Sequence, residues 1–110
     1  MSTQRLQQLY AFHEADPKDS FILFALAKEH ESISDDEKAL NYYLQLVQND
    51  PDYVGTYYHL GKLYERIGQP TQAFATYCKG MKIARAIGDQ HAFNELAEAK
   101  LQLGDDEDFD

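Results

Sequence analysis

At 110 residues the chain has the usual length of one domain, enough to bury a modest core without disulfides or a structural metal. Its formal net charge of −9, with no cluster of Lys and Arg to offset it, argues against nucleic acid as a partner, because a polyanion is repelled at long range. Cys78 is the single cysteine, which leaves no disulfide framework or Cys-based zinc site and suits a packed helix residue in a reducing compartment. The longest apolar run, Phe21 to Ala27, is far short of the roughly 20 residues that span a bilayer. The start, Met1 to Gln8, lacks the apolar stretch of a secretory signal. No membrane association and a cytoplasmic location are expected.

Apolar residues recur at helical spacing between short turn signals, so the expectation is an all-α chain. Arg5 and Leu9 belong to a first helical segment. Asp16-Pro17 puts a capping carboxylate directly before a proline and is expected to open the next helix, whose core stripe is Leu23, Leu26, Ala27, His30 and Ile33. Ser34, with Glu37 three residues on, matches a capping box and is expected to open the helix carrying Ala39 and Tyr43. Asp50-Pro51 repeats the opening signal, and the stripe returns as Tyr57, Leu60, Gly61, Tyr64 and Ile67. Small residues at Ala27 and Gly61 let two backbones approach closely. Gly68-Gln69-Pro70 ends that helix and begins another, which runs to about Ile87 before Gly88. Asp89 is the expected N-cap of a last helix with Phe93, Leu96-Ala97, Lys100 and Leu103-Gly104. Asp105 to Asp110 has the charge density of a disordered, solvated tail.

Sliding the chain against itself by 34 residues superimposes Asp16-Pro17 on Asp50-Pro51, Leu26 on Leu60, Lys28 on Lys62, Glu31 on Glu65, Ile33 on Ile67, Ala39 on Ala73 and Tyr43 on Tyr77. Each period holds two amphipathic segments and therefore reads as a helical hairpin. Tyr57, Leu60-Gly61, Tyr64, Ala73 and Tyr77 follow the order and spacing of a tetratricopeptide repeat, and Leu23, Leu26-Ala27, His30, Ala39, Tyr43 and Pro51 follow it with His30 in place of the usual Tyr. The chain thus resembles a tetratricopeptide repeat protein. That resemblance implies a right-handed superhelix of stacked antiparallel helical hairpins, about six helices in all. It would be one domain over 1–104, built from a half repeat at 1–16, full repeats at about 17–50 and 51–87, and a closing helix at about 90–103, ahead of the acidic tail at 105–110.

The same resemblance implies a non-catalytic adaptor that holds a peptide or helix of a partner on a concave face lined by the first helix of each repeat. The helical wheel puts Phe21, Phe24, Lys28 and Glu31 on that face in the first unit, Gly55, Tyr58, His59, Lys62, Glu65 and Arg66 in the second, and His91, Asn94, Glu95, Glu98 and Gln102 in the closing helix. Partly exposed Phe24 and Tyr58 would anchor the ligand, while Lys28, Lys62 and Arg66 would steer an acidic segment toward it. The competing expectation is that the aromatics pack within the repeats and the lysines pair with Glu31 and Glu65 at i, i+3 spacing. Carboxylate-clamp members bind chaperone tails through Lys, Asn and Arg residues. Here the corresponding positions hold Phe24, Lys28, His59, His91 and Glu95, so that ligand is not expected.

His13, His30, His59 and His91 lie in separate helices, and no phosphate loop, nucleophile elbow or calcium loop accompanies them, so neither enzyme activity nor a cofactor or metal is expected. His30 reads as a core-edge residue. Two other functions fit the same resemblance, a small acidic holding chaperone for an exported or aggregation-prone client and a self-assembling structural module. The tail is expected either to solubilise the chain or to touch the face near Tyr58, Lys62 and Arg66.

Overall fold

The computed structural model describes residues 2–109; Met1 and Asp110, the ends of the expected half repeat and tail, lie outside the described residues. Among the described residues there are six α-helices and no strand: α1 (Ser2–Ala15), α2 (Ser20–Ser32), α3 (Asp36–Asn49), α4 (Gly55–Arg66), α5 (Pro70–Ile87) and α6 (Gln90–Leu103), followed by a short 3-10 helix, Asp106–Phe109. The all-α expectation is met. Contacts divide the chain into two compact units, Met1–Tyr53 and Val54–Asp110. In a repeat solenoid each hairpin contacts chiefly its neighbours, so such a division follows from the architecture. In the first unit α2 packs against α1 and α3; in the second α5 packs against α4 and α6, with a smaller contact between α4 and α6.

The starts of α2, α3 and α4 differ from the expected ones. Asp16-Pro17 is not the cap of α2 but part of a turn closed by the Asp19 N–H donating to the Asp16 carbonyl at 3.2 Å. The cap is Asp19, whose carboxylate accepts from the Ile22 N–H at 3.0 Å. Asp50-Pro51 forms the same kind of turn, with the Tyr53 N–H donating to the Asp50 carbonyl at 3.0 Å, and α4 begins only at Gly55. The Asp50 side chain accepts instead from the Ser20 hydroxyl at 2.6 Å, tying the end of α3 to the start of α2. Nor does Ser34 cap α3. Asp35 does, accepting from the Lys38 N–H at 3.3 Å, while Ser34 adopts φ 62°.

Ser34 needs that left-handed conformation because it closes α2. Its N–H donates to the Glu31 carbonyl at 3.0 Å and the next N–H, of Asp35, to the His30 carbonyl at 2.8 Å. Gly68 closes α4 identically one period later, with φ 81° and bonds from Gly68 and Gln69 to Glu65 and Tyr64. At the C-terminal end of α5, Gly88 repeats the device, and Asp89 caps α6 as expected by accepting from the Ala92 N–H at 3.0 Å.

The buried set follows the expected stripes: Leu23, Leu26, Ala27, His30, Ala39, Tyr43 and Leu46 in the first unit, and Tyr57, Leu60, Gly61, Ala73, Tyr77, Ala84 and Leu96 in the second. Ile33 departs from its stripe and is 45% exposed, because α2 has already ended at Ser32. Each unit also holds one identical polar contact. The Tyr43 hydroxyl of α3 donates to Glu31 of α2 at 2.5 Å, and the Tyr77 hydroxyl of α5 donates to Glu65 of α4. Glu31 and Glu65, which recur at the repeat period, thus each satisfy a buried phenol.

Glycine permits two close approaches in the second unit. A Cβ on Gly61 would stand 2.1 Å from Tyr77 Cε1, and one on Gly80 would stand 2.5 Å from Tyr57 Cβ and 2.9 Å from Leu96 Cδ1. Gly80 stands one period after Leu46, so it is the residue that lets α5 accept both Tyr57 and Leu96. The repeat pattern gave no sign of it.

Where a disordered tail is expected, Asp106–Phe109 form a short 3-10 helix. Asp105 and Asp108 exchange bonds, the Asp108 carboxylate accepting from the Asp105 N–H at 3.0 Å and the Asp105 carboxylate from the Asp108 N–H at 3.3 Å. Phe109 then stacks on Phe74 of α5, with ring centroids 4.5 Å apart and planes at 15°. The apolar contact goes to α5, and not to Tyr58, Lys62 and Arg66 of α4.

Candidate functional site

The inward positions of α4 and α6 fix what their remaining faces present. With Tyr57, Leu60 and Gly61 turned into the core of α4, and Leu96 and Ala99 buried on α6, the outer positions of both helices border a cleft of about 260 Å³. Tyr58, Lys62, Glu95, Glu98, Ala99 and Gln102 line it. The Lys62 ammonium lies 5.6 Å from the Tyr58 ring centroid and 3.8 Å from Glu65 Oε2. The cation thus lies over an aromatic face with a carboxylate one turn along.

Of the residues expected on that face, the structure brings Tyr58, Lys62, Glu95, Glu98 and Gln102 together and adds Ala99. His59 meets the edge of the Tyr58 ring at 5.5 Å, Arg66 is exposed at the end of α4, and Asn94 is exposed and accepts from Gln90 Nε2 at 2.8 Å; these three do not line the cleft. Phe21, Phe24 and Lys28 belong to α2 of the first unit. There Phe21 is 64% exposed, while Phe24 is half-buried with its ring 6.2 Å from Tyr43 and 5.8 Å from Tyr53. The cleft in the second unit is mixed in charge, one lysine facing two glutamates, and not the basic face that Lys62 and Arg66 alone suggest.

The first unit gathers a second chemistry-bearing cluster. His30 Nε2 lies 2.5 Å from the Tyr10 hydroxyl, and Nδ1 lies 3.6 Å from Asp35 Oδ2, beyond hydrogen-bond length. The Tyr42 ring stacks on His30 at 5.7 Å and 18°, and His13 meets the Tyr42 ring edge-on at 5.9 Å. The sequence of phenol, imidazole and carboxylate has the order of a proton relay, yet His30 is 2% exposed and roofed by Tyr42, so a substrate has no approach to it. The cluster fills the core where the second unit uses Tyr64.

Burial is the main influence on His30 and lowers its pKa below 6.5, outweighing the nearby carboxylate of Asp35, while Lys38 pushes in the same direction as burial. A lowered folded-state pKa means that the unfolded chain takes up the proton first as pH falls through 6.5. Stability contributed by neutral His30 is present above that pH and lost as pH falls through the folded value. Urea unfolding at pH 7.5 and 5 is expected to show a larger loss for the native chain than for His30→Tyr, which restores the residue found at position 64. Equal losses would refute this role for His30.

An all-α chain of tandem hairpins, joined by equivalent left-handed turns and equivalent Tyr–Glu bonds, defines a helical repeat solenoid. Residues 42–75 match the tetratricopeptide repeat family model. The crystal structure of the tetratricopeptide repeat domain protein from Salinibacter ruber is 48% identical, with the match covering 77% of this chain and 94% of that one at a TM-score of 0.74. The chain belongs to the tetratricopeptide repeat family. The same solenoid fold appears in the Yersinia enterocolitica type III secretion translocator chaperone SycD, at 11% identity, 93% and 71% coverage and TM-score 0.83. It appears again in PcrH in complex with the chaperone binding region of PopD, at 14% identity, 93% and 77% coverage and TM-score 0.84. No curated protein sequence matches the chain. No helix among the described residues is long and apolar enough to cross a membrane, and no group of three or more His, Cys, Asp or Glu side chains among them could hold a metal ion.

Proposed function

We propose that the chain is a non-catalytic protein-interaction adaptor that holds a peptide or helix of a partner in the cleft between α4 and α6, with α2 of the first unit presenting its own copy of the face at Phe21, Phe24 and Lys28. The observation that carries this reading is the Tyr58–Lys62 pair set opposite Glu95 and Glu98. A half-buried aromatic with an oriented cation is an interface anchor, and the two glutamates ask the ligand for a donor as well as a carboxylate. The best ligand is therefore a mixed-charge segment, not a uniformly acidic one. A reducing, cytoplasmic setting suits the half-buried thiol of Cys78.

The likeness to SycD and to PcrH with a region of PopD favours a second reading, a chaperone that holds one segment of a client. Affinity capture from native lysate with the intact protein, beside a Tyr58→Ala/Lys62→Glu variant, tests the site. A partner retained by the native protein and lost by the variant is expected, and equal capture by both would overturn the cleft assignment. Suppression of aggregation of several unfolded clients would favour the chaperone over the adaptor.

A further inference from the structure

A second groove lies in the second unit, between α5 and α6. It has a volume of about 470 Å³ and is bordered by Cys78, Met81, Lys82, Arg85, Phe93 and Lys100. None of the described residues that line it is acidic, in a chain with 19 acidic residues and a net charge of −9. The Arg85 guanidinium lies 4.7 Å from the centroid of Phe93, so the cation borders an apolar floor.

The repeat itself shows what this surface is shaped to receive. With the two-residue insertion before α6, Phe93, Ala97, Lys100 and Leu101 stand where α4 carries Tyr57, Gly61, Tyr64 and Glu65. On α4 that stripe is covered by α5: Tyr57 meets Gly80, Gly61 lies under Tyr77, and Glu65 accepts the Tyr77 hydroxyl. On α6 the corresponding stripe stays open, with Phe93 half-buried and Leu101 75% exposed. At one side the 3-10 turn brings Phe109 to Phe74, over which Lys100 Nζ lies at 5.2 Å. The Phe109 ring thus lies at the margin of a surface that elsewhere in the unit takes a whole helix.

The geometry points to the α5–α6 groove as a docking site for an acidic amphipathic helix of a partner protein. The helix lies along α6 as α5 lies along α4, with its apolar side chains over Phe93, Ala97 and Leu101 and its carboxylates toward Lys82 and Arg85. Charge complementarity decides the occupant. A basic helix meets like charge at the rim, whereas an acidic one is drawn to the cationic border of an otherwise acidic chain. The surface is separate from the α4–α6 cleft and does not depend on the reading of that cleft.

The probe is a synthetic peptide of residues 35–50 of this chain, acetylated and amidated, which is acidic and carries the second-helix pattern Ala39 and Tyr43. Added to the full 110-residue protein, it is expected to shift amide NMR signals of residues 78–86 and 93–101, with binding that weakens as salt rises. Lys82→Glu/Arg85→Glu, at two exposed positions, is expected to weaken it at least tenfold while leaving the unfolding midpoint in place. A peptide with Asp35, Asp36 and Glu37 replaced by Lys is expected to bind at least tenfold more weakly as well. Shifts confined to α2 and α3, shifts confined to the Tyr58–Glu98 cleft, no binding, or equal affinity for the charge-reversed peptide would each overturn the proposal.

Discussion

Gly61→Leu is expected to lower the free energy of unfolding by about 3 kcal/mol, the upper part of the range for forcing methylenes into a packed core. The reason is local and geometric. The first added carbon would stand 2.1 Å from Tyr77 Cε1 and 2.6 Å from Cζ, far inside van der Waals contact. Tyr77 has little freedom to yield, being fully buried with its hydroxyl held by Glu65. Either the ring leaves its rotamer and breaks that bond, or α4 and α5 separate along their contact. Urea unfolding reads the change directly, and Gly61→Ala should fall in the same direction because its Cβ alone makes the clash. A midpoint unchanged by leucine would mean that Gly61 does not lie under Tyr77.

The helical architecture was readable because a 34-residue period repeats every structural device at once: stripe, turn and small residue. The helix starts were less readable. Asp-Pro is a genuine turn signal, but a proline after Asp also suits a turn that precedes the helix, and a second aspartate, Asp19, was available three residues on. Ser34 illustrates the same ambiguity, since its spacing from Glu37 fits a capping box while its actual work is to close α2 at φ 62°. Side-chain chemistry that crosses between helices has no local signature. The Tyr–Glu bonds join residues 12 apart, and the Tyr10–His30 contact joins residues 20 apart.

That limit also bears on the candidate face. Lys28, Lys62, Glu31 and Glu65 all recur at the repeat period, and recurrence alone does not separate residues kept for packing from residues kept for a ligand. The glutamates receive buried phenols, and Glu65 also neighbours Lys62, so half of the recurrent pattern is architectural. Composition offered no help with the tail either: five acids in six residues describe solvation, but Asp105 and Asp108 cap one another's backbone and leave Phe109 free to reach Phe74. An apolar ring in an acidic run was the one visible sign that this segment had something to pack against.

Tyr77→Phe is expected to cost about 2 kcal/mol, within the range for a hydrogen bond to a charged group. The substitution keeps the ring over Gly61 and removes only the donor to Glu65, whose side chain is 30% exposed and can recover part of the loss from water and from Lys62 at 3.8 Å. Glu65→Ala should cost a similar amount by leaving the buried phenol without an acceptor, and the double variant should cost less than the two added together, since each single change removes the same bond. pH supplies an independent check. Burial, followed by the bond to Glu65, raises the Tyr77 pKa above its ordinary 10.0. Below that pH the stabilisation by the protonated phenol is fully present. Above it the unfolded chain ionises while the folded one keeps its proton, so the contribution declines as pH climbs toward the folded value. The gap in stability between the native chain and Tyr77→Phe should therefore be constant from pH 7 to 9 and narrow above 10. Strictly additive single variants, or a gap that widens in alkali, would show that Tyr77 is held by packing alone and that the recurrent glutamates serve another purpose.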